Sequence, residues 1–118
     1  MEAEMKKFLV LYKSSTPASE MMARATAEQM QSGMEDWNRW AAIATNAIVN
    51  LGSPVGGSGT VGAAMVTSGD PEITGFSILQ AESLAAVMKL LEDHPHLKTP
   101  GASSITAIEF LPMPGTEP

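Results

Sequence analysis

The sequence has no cysteine, which excludes disulfides, thiolate metal sites and cysteine nucleophiles and leaves the redox compartment open. Basic residues are scarce. Lys6, Lys7, Lys13, Arg24, Arg39, Lys89 and Lys98 are scattered along a chain of net charge −6. Phosphate backbones and anionic membranes select clustered cationic faces, so neither nucleic acid nor membrane is an expected partner. Long apolar runs are also missing. The run Phe8 to Tyr12 near the N-terminus is too short for a signal core or a membrane span, and the expected location is the cytoplasm. Aromatic residues are few, and the only imidazoles are His94 and His96. Any chemistry must therefore use oxygen, nitrogen or thioether groups.

What is present suits one domain over residues 1–118, a length that buries roughly two-thirds of the unfolded chain's surface. Residues 1–4 read as an N-terminal extension and 112–118 as a C-terminal tail. KKFLVLYK, residues 6–13, is a continuous apolar run, which predicts a central strand covered on both faces. Ser14 to Pro17 offer helix-start chemistry, and SEMMARATAEQM is helix-compatible with a break near Thr26. From Met30, apolar residues recur three and four apart at Met34, Trp37, Ala41, Ala44 and Ile48, predicting an amphipathic helix over 28–49.

The Gly/Ser-rich residues 51–72 read as turns around short strands near 53–55 and 61–66, with 52–62 in a flexible hairpin or lid. Their GGSG run lacks both phosphate-loop patterns, and a helix precedes rather than follows it. ITGFSILQ (73–80) predicts a strand. Residues 83–93 predict a helix burying Leu84, Val87, Met88 and Leu91, and SITAIEFL (104–111) a last strand ended by prolines. The order implies an α+β fold, a ferredoxin-like split βαβ sheet with helices on one face. Because the strands are apolar on both sides, a second copy is expected to cover the other face, giving a homodimer.

The stretch LEDHPHLK concentrates titratable groups. The residue before a proline avoids the α region, and a helix C-terminus favours nearby cations, so Asp93-His94-Pro95 first reads as a helix stop. As a metal site, His-X-His needs a true strand and further ligands from elsewhere, and no metal is expected. As general bases, His94 and His96 suit neutral pH but need an orienting partner and a pocket. On the long helix, Asp36 and Arg39 stand at ion-pair spacing, worth about 0.5 kcal/mol or less when solvated. Trp37 lies within the apolar stripe and is assigned to the core. Trp40 lies at its edge and is freer to line a cleft. Tyr12 ends the first strand and can supply a cleft hydroxyl. Met30, Met34 and Met88 fall on helix stripes and read as adaptable core filler.

KKFLVLYK, the long helix closing on VNLGSP, the segment VTSGDPEITGFSILQAESLAAVMKLLEDHPHL and the closing strand SITAIEFLPMPG together resemble the YCII-related family of the dimeric α+β barrel superfamily, in particular its DGPF branch. The resemblance spans Met5 to Gly115. It implies a homodimer, a cleft between sheet and helices open to small molecules, and cofactor-free action on small, often aromatic or chlorinated compounds through a paired His and Asp. Asp70, in Ser68-Gly69-Asp70-Pro71, matches the family's acid. The matching helix histidine would fall at or near Asp36, and this helix carries none. The family-type dyad is therefore incomplete. The expected function is a homodimeric small-molecule-binding protein without cofactor, with Tyr12, Asp36, Arg39 and Trp40 as candidate ligand contacts. The alternative is a cofactor-free enzyme of lyase, isomerase or dehydrochlorinase type, moving a proton with Asp70, His94 or His96. Asp70 before the third sheet strand and His94 beyond the second helix are expected at opposite ends of one subunit.

Overall fold

The computed structural model describes residues 4–64, 66–69, 72–99 and 102–112. The chain runs β1 (Lys6–Lys13), α1 (Ala18–Arg24), α2 (Ala27–Ile43), a 3-10 turn (Thr45–Ala47), β2 (Ile48–Pro54), β3 (Ser58–Val61), β4 (Val66–Gly69), β5 (Ile73–Ala81), α3 (Leu84–Leu91), a second 3-10 turn (Pro95–Lys98) and β6 (Ser104–Glu109). Four strands form an antiparallel sheet in the order β2-β5-β1-β6. That is the ferredoxin-like arrangement, with the β3–β4 hairpin inserted between its second and third strands. Asp70 lies outside the described residues, as do Met65, Pro71 and residues 1–3, 100–101 and 113–118. Among the described residues, no helix is long and apolar enough to cross a membrane.

Local chemistry starts each helix where the sequence allows it. The Thr26 hydroxyl accepts from the Gln29 N–H, and the Gln29 side chain accepts from the Thr26 N–H, a complete capping box that opens α2. The Ser83 hydroxyl accepts from the Ala86 N–H and opens α3. The helical spacing of Ile48 is misleading: α2 ends at Ile43, and Ile48 pairs with Leu79 in the sheet. Ile48 and Val49 are β-branched, which disfavours helix and suits a pleated surface. β2 pairs irregularly with β5, and Gly52 at φ 87 lies against the Phe76 carbonyl, where a side chain would meet backbone oxygen.

One sheet face carries Phe8, Val10 and Tyr12 from β1 with Leu79 from β5, packed under Trp40 of α2, Ala44 at its C-terminal cap, and Val87 and Leu91 of α3. Two packing expectations change. Leu84 and Met88 are exposed, because α3 buries the face of Val87 and Leu91 only. Met30 and Met34 are exposed as well, since the buried part of α2 lies in its second half.

By strand alternation the opposite sheet face presents Leu9 beside Ile78 and Ile108, and Leu11 beside Phe76. Ile108 is 47% exposed, so this face is apolar and only partly covered within one chain.

Candidate functional site

Five ring-bearing side chains converge under α2 near the end of β1. α3 stops at Leu91, and the His94 N–H donates to the Leu91 carbonyl at 3.1 Å. Pro95 then starts the 3-10 turn, and the backbone carries both imidazoles inward. His94 is fully buried. Its ring stacks on Tyr12 with centroids 4.8 Å apart and meets Trp37 and Trp40 in T-shaped contacts, each at 4.4 Å. Tyr12 in turn touches Trp37 edge-on and lies 5.4 Å from the His96 ring. The helix-stop reading therefore describes the backbone but misses the destination of the rings. A helix-end imidazole gains from being charged in water, whereas His94 is enclosed by aromatic surfaces.

Hydrogen bonds assign the protons. The His96 backbone N–H donates to His94 Nδ1 at 3.0 Å, so this nitrogen carries a lone pair and the neutral ring's proton sits on Nε2. His94 Nε2 is buried without a hydrogen-bond partner. Burial, reinforced by the neighbouring His96, pushes the His94 pKa down to about 3. His96 is arranged differently. Its Nε2 lies 2.7 Å from the Lys13 carbonyl, which only accepts, so Nε2 is the protonated nitrogen and Nδ1 of the neutral ring is the basic atom. Among the described residues, no group is hydrogen-bonded to His96 Nδ1.

Tyr12 is held with equal definition. Ser77 Oγ donates to the Leu51 carbonyl at 2.5 Å, which leaves the Tyr12 hydroxyl as donor to Ser77 Oγ at 2.8 Å. Burial raises the Tyr12 pKa to about 12, with the Ser77 hydrogen bond acting in the opposite direction. Thr74 Oγ1 donates to the Tyr12 carbonyl.

Tyr12, Trp37 and His96 form one wall of a cavity of about 380 Å³ between the sheet and the helices. Met21 and Met22 of α1, Met34 and Asn38 of α2, residues 51–54 of β2 and residues 74–76 of β5 close the remaining sides. The volume lies within the range of small-molecule sites, and the walls are mainly apolar with a few convergent polar atoms. A second groove, of about 460 Å³, lies across α2 and is lined by Asp36, Arg39, Trp40, Ile43, Lys89, Asp93 and Lys98 among others.

The candidate residues thus separate. Tyr12 and His96 line the cavity, and His94 stands behind them. Asp36 and Arg39 line the second groove, where they pair at 3.1 Å. The tryptophan assignment changes in part: Trp40 lines the second groove as expected but is the more buried of the two, and Trp37 packs against the core yet also lines the cavity. Trp40 is 5% exposed and donates its indole N–H to the Leu90 carbonyl, whereas Trp37 is only partly buried and faces the cavity. The expected separation of Asp70 from the histidines falls on a residue outside the described ones; of the residues that follow it, the positions are these. Ile73 pairs with Lys13, the residue to which His96 bonds, and the Ser14 N–H donates to the Glu72 carbonyl. The start of β5 and the histidine turn therefore share one end of the sheet. Sequence reasoning missed Asn38, though it stands four residues after Met34 on the same helix face.

The two imidazoles do not form a chelating pair, since the His94 Nδ1 lone pair accepts the His96 backbone N–H. Among the described residues, no three histidine, aspartate or glutamate side chains gather as a metal site.

A scan against protein-family models finds none that matches, and a search of curated proteins likewise finds no match. Among solved structures, the chain is similar to the 5-chloro-2-hydroxyhydroquinone dehydrochlorinase of Burkholderia phenoliruptrix, in complex with 2,5-dihydroxybenzoquinone. The TM-score is 0.48 and the identity 23%, over 85% of this chain and 90% of that chain.

Proposed function

We propose that this chain binds a small, flat, mainly apolar molecule carrying an acidic hydroxyl in the cavity under α2. The observation that carries this reading is that His96, whose Nδ1 has no hydrogen-bond partner among the described residues, lines a cavity with Tyr12, Trp37 and methionines. Aromatic and thioether groups favour a flat, polarisable ligand. One lone pair in apolar surroundings selects a ligand that donates a hydrogen bond. The resemblance to the YCII-related family points the same way.

4-Nitrophenol is a suitable probe, since it is flat, acidic and quenches tryptophan emission. It is expected to bind and to quench Trp37. His96→Leu keeps an apolar wall and removes the acceptor. It is expected to weaken binding about 10- to 100-fold, corresponding to the roughly 1.5–3 kcal/mol of a charge-assisted hydrogen bond. Equal affinity in wild type and His96→Leu, measured by calorimetry, would count against the reading.

A second reading, cofactor-free proton transfer on such a molecule, rests on the same nitrogen. His96 would accept the proton, and Asp70, the acid of the family resemblance, would act with it. If so, Asp70→Asn abolishes turnover while leaving 4-nitrophenol binding intact, whereas loss of binding in that variant assigns Asp70 to the fold or the ligand.

We further propose a homodimer that joins the open sheet faces through Leu9, Leu11, Phe76, Ile78 and Ile108. Alternating apolar residues on an uncovered face support it. Sedimentation equilibrium at micromolar concentration is expected to give twice the chain mass, and Leu11→Glu to give the monomer. A wild-type monomer under those conditions removes the dimer from the account.

A further inference from the structure

His94 is buried, polar and outside the cavity, and its environment does not explain why an imidazole stands there. A phenylalanine would satisfy the ring contacts with Tyr12, Trp37 and Trp40 without leaving Nε2 unpartnered. What phenylalanine cannot do is accept the His96 N–H, which donates to His94 Nδ1 at 3.0 Å. That bond closes the first step of the turn carrying His96. The turn is further tied by Leu97 N–H to the His94 carbonyl and by Thr99 N–H and Oγ1 to the His96 carbonyl.

We propose that His94 is a positioning residue for His96. By accepting the His96 N–H it fixes the backbone of the turn, so that the His96 ring, which lines the cavity, gives Nε2–H to the Lys13 carbonyl and keeps Nδ1 free. The aromatic box serves this arrangement by holding the His94 ring in one orientation, with Nδ1 toward the turn and Nε2 among the indoles. An acceptor on a freely rotating ring would cap the turn only part of the time. Tertiary packing on β1 and α2 therefore sets which nitrogen of a second histidine is basic, the kind of outer-sphere control that fixes imidazole tautomers elsewhere. The proposal rests on the reading that His96 serves the cavity.

The chain has only two histidines, so imidazole nitrogen NMR reports on each without ambiguity. In the wild type, the neutral His96 ring is expected to show one protonated nitrogen, Nε2, and one unprotonated nitrogen, Nδ1, with well-separated shifts. His94→Asn restores an acceptor, because Asn Oδ1 occupies the place of Nδ1, and is expected to keep that separation. His94→Phe keeps the ring and removes the acceptor. There the two His96 nitrogen shifts are expected to converge through tautomer exchange, and 4-nitrophenol affinity to fall about 10-fold. A fully separated His96 pattern in His94→Phe overturns the proposal, as does convergence in both variants alike. The outcomes stay distinguishable from failure of the binding reading. If the wild type does not bind 4-nitrophenol, that reading falls, and the nitrogen spectra still decide the role of His94.

Discussion

Trp40→Ala is expected to lower the stability of the fold by about 3–5 kcal/mol, the range for truncating a large buried aromatic side chain. Trp40 is 5% exposed, sits over the sheet core with Ala44, and donates its indole N–H to the Leu90 carbonyl at 3.3 Å. It thereby fastens α2 to the end of α3, from which the histidine turn departs. Removing it opens a void beside His94, whose ring lies 4.4 Å away. Trp37→Ala is expected to cost less, about 1–3 kcal/mol, because its side chain is only partly buried. The order of the two effects is the test. Urea denaturation of both variants should place Trp40→Ala well below Trp37→Ala in midpoint. The reverse order would contradict the assignment of Trp40 to the core and Trp37 to the cavity wall.

Acid is expected to weaken the fold through His94. The folded-state pKa of about 3 lies below the ordinary value of 6.5, so the unfolded chain takes up this proton first. The stability contributed by neutral His94 is complete above about pH 6.5 and is lost progressively as the pH falls toward about 3. The slope approaches ~1.4 kcal/mol per pH unit, giving roughly 3 kcal/mol between pH 7 and pH 4. The titratable groups beside His94 are Tyr12, stacked on it from β1, and His96, whose backbone N–H it accepts, while α2 presents only indoles to its ring. Tyr12, with its pKa near 12, remains neutral throughout this window. His94→Phe has no proton to take up and should flatten the dependence by that amount. Parallel stability–pH curves for wild type and His94→Phe would show that His94 is not held neutral by burial.

The strands were legible wherever the local pattern coincided with tertiary demand. KKFLVLYK is β1 to the residue, because a central strand with helices on one side and an apolar face on the other has no polar period to obscure it. The end of α2 was not legible, because Ile48 satisfies a helical spacing and a strand pairing equally well, and only the presence of β5 decides between them. The tryptophans illustrate a second limit. Trp37 and Trp40 are three apart on a broad stripe, and a modest rotation of the helix exchanges which one is buried. The candidate site was harder still. The groups enclosing His94 come from β1 and α2, far away in sequence, so the helix-stop chemistry of LEDHPHLK was readable while the burial of its rings was not. Asp36 and Arg39 form the exposed ion pair that their spacing allows. Their groove is lined by Asp93, Pro95 and Lys98 from the histidine turn but not by His96, which the spacing alone does not reveal.

The central claim is that the cavity between sheet and helices, with His96 Nδ1 as its basic atom, is the binding site. Titrating the isotope-labelled protein with 4-nitrophenol, and following the histidine ring nitrogens with the backbone amides, tests it most directly. His96 Nδ1 is expected to move most, together with amides at Tyr12, Met34, Trp37 and Thr74, while His94 Nδ1 holds its shift. Changes centred on Arg39, Lys89 and Lys98 with His96 unmoved would place the ligand in the other groove and contradict the account.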